Sequence, residues 1–238
     1  MILKALREEV LEANLELVRL GLVLYTFGNA SGVARDEGLV VIKPSGVPYD
    51  QMKPEDMVIT DLHGKVVEGS LRPSSDLPTH LILYREFAAI GGIAHTHSRA
   101  ATSWAQAQRE IPCFGTTHAD YFQGPIPVTK PLRPAQIHTD YEANTGLAIV
   151  RRFAKLDPLH APAVLVAGHA PFCWGATPVE AAHIAVIVEE IASMASQTIA
   201  ANPRARCISR QLHDKHFRRK HGRDAYYGQS KSPTTVRS

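Results

Sequence analysis

Residues 78–98 read PTHLILYREFAAIGGIAHTHS, and this stretch decides the fold class. Proline at a first helical turn, followed by apolar residues on a helical repeat, predicts a helix from Pro78 to about Ile90. Gly91 and Gly92 break it, and the run from Ile93 to His97 predicts a strand that ends in histidines, with another helix starting near Ser98. The chain therefore alternates layers, and the end of this strand carries chemistry.

Upstream, Leu3, Leu6, Val10, Ala13, Leu17 and Leu20 recur at steps of three and four, which predicts a packing helix stopped at Gly21. Three β-rich runs follow, Val23 to Phe27, Leu39 to Ile42 and Met57 to Thr60, separated by turn-forming residues. Downstream, Ala163 to Ala167 is a compact apolar run closed by Gly168-His169, and Pro178 to Ala200 predicts a long helix rich in small residues. Strands followed by helices, with a helical last third and no internal repeat, indicate an α+β or three-layer α/β sandwich. The 238 residues suit one domain over residues 1–229, with a frayed tail at 230–238 that is rich in Ser, Thr and Pro.

His95 and His97 stand two apart on the expected strand. They would face the same way about 6.6 Å apart, a spacing from which two imidazoles can meet one metal ion. A lone His-x-His is often structural, so a further ligand is needed. His169 follows a second apolar run, and Asp76 lies in the loop before the Pro78 helix. Each has an ordinary alternative, a hydrogen-bonded histidine or a helix-capping aspartate, and His80, His118 and His183 compete for the same role. Gly28-Asn29, Lys43-Pro44-Ser45-Gly46 and Pro73-Ser74-Ser75 combine tight turns, hydroxyls and one lysine, the makings of a phosphate cradle. No Walker or dinucleotide glycine pattern is present. Acid/base-capable groups crowd residues 115–121, GTTHADY, and Tyr226-Tyr227 places phenols near the C-terminus.

Composition narrows the function classes. The formal charge of +3 arises largely near the C-terminus, in a basic segment without interleaved stacking residues, so nucleic acid is not an expected partner. Three widely spaced cysteines form neither a disulfide framework nor a cysteine metal site. No run approaches eighteen continuous apolar residues, so no membrane is expected, and the default compartment is the cytoplasm.

Several long segments together resemble the class II aldolase and L-ribulose-5-phosphate 4-epimerase family, its epimerase branch in particular. They are Ile42 to Val47, Pro73 to Asp76, Gly92 to Arg99, Gly115 to Phe122 and Leu212 to His216, within a likeness running from about Leu11 to Gln229. The resemblance implies a three-layer sandwich with a mostly antiparallel central sheet flanked by helices. It also implies an isomerase of pentose-phosphate and arabinose metabolism that interconverts L-ribulose 5-phosphate and D-xylulose 5-phosphate by opening and remaking the C3–C4 bond. Asp76, His95, His97 and His169 would hold a divalent metal, Zn²⁺ first, with Mn²⁺ or Co²⁺ as alternatives. Gly28, Asn29, Lys43, Ser45, Gly46, Ser74 and Ser75 would bind the phosphate of the ketopentose. Asp120 and Tyr227 would be the acid/base pair, with Thr116, Glu142 and His216 in support, at sites between the subunits of a homotetramer. Aspartate at position 76, where the aldolase branch carries a glutamate base, points to the epimerase. A sugar-phosphate aldolase, a ribulose-phosphate dehydratase and a non-catalytic binding module are the alternatives. Ala170 departs from the family's glycine after the third histidine, and Ile199 to Arg210 and the segment after Gln229 also depart from its pattern.

Overall fold

The computed structural model describes residues 1–223, 225 and 226. Helix α1, Lys4–Arg19, buries Val10, Ala13 and Leu17, the face that the spacing predicts, and Gly21 turns the chain at φ 70°. The strands are β1 Asn29–Ala34, β2 Leu39–Ile42, β3 Val58–Asp61, β4 Val66–Glu68, β5 Gly92–His95, β6 Ala163–Leu165 and β7 Pro171–Gly175. The helices used below are α2 Leu77–Glu86, α3 Arg99–Gln106, α4 Thr116–Ala119, α5 Pro134–His138, α6 Tyr141–Arg152, α7 Pro178–Ala201 and α8 Arg210–His221.

The strands form one seven-stranded sheet in the order β4-β3-β2-β1-β5-β7-β6, and every paired neighbour is antiparallel. Helices cover both faces, giving the mixed α/β layered architecture that the sequence indicates. On β1, Ser31 turns toward α2, where its hydroxyl lies 2.7 Å from both His80 Nδ1 and the Tyr84 hydroxyl. Its neighbour Gly32 turns the other way, against Leu6 and Val10 of α1 and Pro178 of α7. That alternation is the two-residue period of a strand buried on both faces. α6 lies outside α2, with Gly146 against Ile82, and Phe87, Phe153 and Trp174 make an aromatic contact between this layer and β7, with centroids 5.1–5.5 Å apart.

α7 is long and apolar enough, by length and composition, to cross a membrane. Here it lies over β5 and β7 and beside α1 and α3, and buries a stripe of small residues, Ala181, Ala182, Ala185, Ala192 and Ala195. Thr177 caps its first turn by accepting from Glu180 N.

Three expected elements differ. Val23 to Phe27 is not a strand: Tyr25 takes φ 53°, and Leu22 and Val23 plug the core while Leu24, Tyr25 and Phe27 are exposed. The strand starts instead at Asn29, where pairing with β5 begins. β5 ends at His95, two residues before the expected end, so Thr96 and His97 leave the sheet. α2 stops at Glu86, and Phe87 turns back into the aromatic cluster.

Gly92 sits where β5 passes beneath the start of α7, and a Cβ there would lie 2.3 Å from Pro178 N and 2.4 Å from Thr177 O, both backbone atoms. Gly92→Ala is therefore expected to lower stability by about 2–3 kcal/mol, measured as a reduced urea midpoint with unchanged slope.

Candidate metal centre and its pocket

The register across the middle of the sheet sets Asn29, His95 and Phe172 side by side on β1, β5 and β7. Here β1 begins, β5 ends and β7 begins, so three chain segments open at one end of the sheet. His95 is buried and stacks on Phe172 at 4.1 Å. Its Nδ1 donates to Pro171 O at 2.9 Å, which leaves Nε2 as the lone-pair nitrogen. His97 arrives from the irregular turn after β5. His169 arrives from the tight connection between β6 and β7, where Gly168 at φ 75° makes the turn and His169 N donates to Val166 O.

The Nε2 atoms of His95 and His97 are 3.2 Å apart, as are those of His97 and His169. Nitrogens bound at about 2.1 Å to one tetrahedral ion lie about 3.4 Å from each other, so the three imidazoles fit a divalent metal. Burial, then the neighbouring His95, lowers the His97 pKa, and burial lowers that of His169 to about 4. At neutral pH both therefore present the uncharged form that ligates. Asp76 Oδ2 lies 3.9 Å from His95 Nε2 and accepts from Asn29 Nδ2 at 2.7 Å. Burial pushes this carboxyl upward, but His95, His80 and the Asn29 amide outweigh it and hold the pKa below the usual value. The carboxylate is thus ionised, fixed and turned toward the triad.

A cavity of about 450 Å³ opens beside these groups, lined in part by Gly28, Asn29, Ser45, Gly46, Ser74 and Ser75. Gly28, at φ 72°, packs so closely that a Cβ would meet Val23 Cγ1 at 2.7 Å and His95 O at 2.8 Å. Ser74 and Ser75 stand at the N-terminal end of α2, where backbone N–H groups favour an anion. Lys43 also lines the cavity. It is buried, with Nζ 4.7 Å from the centre of the Tyr49 ring and 3.3 Å from Pro44 O, and burial lowers its pKa to about 8. An ammonium so poorly solvated gains more than a surface lysine from an incoming anion.

Glu142 lines the same cavity, beside Tyr141. Pattern reading missed Tyr141, whose hydroxyl lies 3.3 Å from His169 Nδ1 and so orients the ring whose other nitrogen faces the triad. Its position next to Glu142 carried no signal until α6 folded back over the cavity. Thr26 and Phe27 were also missed because the segment reads as a strand.

Asp120, Thr116 and His216 are not among the residues lining this cavity. Asp120 C-caps α4, which Thr116 opens, and its carboxylate faces α8, accepting from Arg219 and lying 3.0 Å from His216 Nδ1. Tyr227 lies outside the described residues. Among the competing histidines, His80 packs behind the site against Ser31, His183 is exposed on α7, and His118 is buried with Nε2 donating to Gly124 O at 2.9 Å. Ala170 is fully buried, and the chain makes its turn two residues earlier, at Gly168.

A sequence profile of the class II aldolase and adducin N-terminal domain matches residues 8–196. The chain belongs to this family. An L-fuculose 1-phosphate aldolase has the same fold, with a TM-score of 0.76 and 24% identity over 89% of this chain and 94% of its own. YgbL of Klebsiella pneumoniae, provisionally assigned as an aldolase/epimerase/decarboxylase, gives 0.72 and 24% over 90% and 99%. The L-fuculose-1-phosphate aldolase of Thermus thermophilus gives 0.67 and 22% over 86% and 100%. At these identities the solved structures establish the fold, and membership of the class II aldolase family rests on the profile match.

This geometry sets the expected cost of losing a ligand or its support. With Zn²⁺ or Co²⁺ as the probe ion, His169→Ala should weaken divalent-metal binding by about 100-fold and Tyr141→Phe by about 10-fold, as read by competition with a chromogenic chelator. His118, whose pKa burial lowers to about 4, should stabilise the fold above its unfolded pKa near 6.5 and lose that contribution as pH falls from 6.5 to 4. Urea titrations across that window should show stability falling by about 1 kcal/mol per pH unit from this residue, a slope that His118→Gln removes.

Proposed function

We propose that the protein is an L-ribulose-5-phosphate 4-epimerase that holds Zn²⁺ between His95, His97 and His169, with Asp76 beside them. The observation that carries this reading is the carboxylate of Asp76, pinned by Asn29 and turned toward the histidine triad. A short, fixed, ionised carboxylate suits a ligand or a charge stabiliser better than a mobile base. A divalent ion in this position supplies Lewis-acid stabilisation of the negative charge that develops when the ketose C3–C4 bond opens.

The chain's own residues would do the rest. Lys43, Asn29, Ser45, Ser74 and Ser75, with the backbone turns at Gly28 and Gly46, bind the phosphate and hold that end still. The phosphate on C5 stays with C4, so opening the bond leaves the enediolate of dihydroxyacetone and glycolaldehyde phosphate. One member of the pair Asp120 and Tyr227 takes the C4 hydroxyl proton. The aldehyde then rotates and is attacked on its other face, and the second member returns a proton to the new hydroxyl, inverting C4. Anchoring the phosphate keeps the two fragments together long enough to recombine. Because Asp120 faces α8 and not the triad of its own chain, this reading places the pair in the pocket of a neighbouring subunit within a homotetramer.

An aldolase is the second reading, favoured by the shared fold of the fuculose-phosphate aldolases. A coupled assay with L-ribulose 5-phosphate, following D-xylulose 5-phosphate, should show turnover that chelation abolishes and zinc restores. Asp120→Asn should lower kcat by about 100-fold or more. Release of free dihydroxyacetone phosphate from L-fuculose 1-phosphate would indicate the aldolase instead, and loss of water by mass a dehydratase. Zinc binding without turnover on any of these would leave a binding module.

A further inference from the structure

Asp120 is 8% exposed, and side chains of α8 meet it. Arg219 donates from Nε to Oδ1 at 2.9 Å and from Nη2 to Oδ2 at 2.6 Å. His216 Nδ1 lies 3.0 Å from the same Oδ1, and His221 Nε2 donates to the Asp120 backbone carbonyl at 2.9 Å. A guanidinium that engages both carboxylate oxygens fixes the plane of the carboxylate as well as its distance, which a lysine cannot do. Each carboxylate oxygen has two lone pairs. Among the described bonds, Oδ1 accepts two and Oδ2 accepts one.

α8 is itself well anchored. Ser209 caps its first turn by accepting from Leu212 N, and Phe217 is buried between the rings of His213 and His221. His213 Nε2 accepts from Gly124 N at 3.1 Å. The helix is thus tied to the loop that follows α4 as well as to Asp120.

We infer that Arg219 is a positioning residue for Asp120, whose two-point contact fixes the carboxylate so that Oδ2 is the atom that exchanges the proton. This rests on the role proposed above for Asp120. Arg219 lies outside the most specific of the segments that resemble the family, and the sequence shows it only as one of a cluster of basic residues.

Among the described residues, the charged and titratable groups that act on the carboxylate are Arg219, His216 and Lys220 of α8, with His221 of the same helix on the backbone carbonyl. Burial raises the Asp120 pKa, while the bonds from Arg219 and His216 and the charge of Lys220 bring it net below the ordinary value. Removing the guanidinium therefore leaves burial less opposed, and the titration midpoint must rise.

The test uses the full chain labelled with ¹³C-aspartate, Asp120→Asn to assign the resonance, and the variants Arg219→Gln and Arg219→Lys. Arg219→Gln should raise the Asp120 midpoint, and with it the acid limb of kcat, by about one pH unit or more. It should also lower kcat about 10- to 100-fold with KM within about two-fold. Arg219→Lys should restore the midpoint and recover kcat only in part, because charge returns without the two-point geometry. An unchanged midpoint in Arg219→Gln would overturn the proposal even with turnover intact, and so would full recovery of kcat by lysine. If the wild-type protein turns over no pentulose phosphate while Arg219→Gln still moves the midpoint, the epimerase reading and the role of Asp120 fall, but the Arg219 contact stands.

Discussion

The antiparallel pairing of β5 with β1 on one side and β7 on the other fixes nearly everything else. It aligns Asn29, His95 and Phe172 in one row, so the amide that holds Asp76, the first imidazole of the triad and the ring on which that imidazole stacks are set by backbone hydrogen bonds. A slip of one residue in this pairing would turn His95 to the opposite face of the sheet. Gly92 keeps the strand close beneath the start of α7, which fixes the depth of β5 in the layers.

A second constraint acts on the turn that carries His97. Ser98 precedes α3, and the first backbone N–H groups of that helix, those of Ala100 and Ala101, are accepted by the two carboxylate oxygens of Glu189 on α7 at 2.8 and 2.9 Å. A side chain 89 residues later thus caps the helix that follows the second histidine. Irregular backbone at a site is usually the mobile part. Here both neighbours of the irregular turn are held, β5 by the sheet and α3 by α7.

Much of this was legible in the sequence, for identifiable reasons. The α1 stripe, the Pro78 and Pro178 helix starts and the strand before His95 are short-range signals, and they survive because packing agrees with them. The three histidines whose nitrogens the structure brings together, and Asp76 beside His95, could be singled out beforehand because ligand chemistry tolerates few residue types. The Val23 to Phe27 segment misled because an apolar run can anchor a loop as well as form a strand, and only the absence of a pairing partner tells the two apart. Tyr141, Glu189 and Arg219 left no local signal, since each acts on a residue at least 28 positions away. The position of Asp120, facing α8, likewise depends on a helix almost a hundred residues further on.

The sheet order also divides the chain in a way that bears on assembly. Strands β4-β3-β2-β1 form a meander completed early in the sequence, while β6 and β7 form a hairpin from its last third, and β5 joins the two. His95 and His97 belong to the joining strand and the turn after it, and His169 to the tip of the late hairpin. The triad therefore straddles a seam between two locally folded pieces, and it has no ligand set until the hairpin docks. Any ion it holds works as a clasp on that seam, and its binding energy adds to the cohesion of the sheet. Metal occupancy and the docking of the two halves are then linked equilibria, each favouring the other.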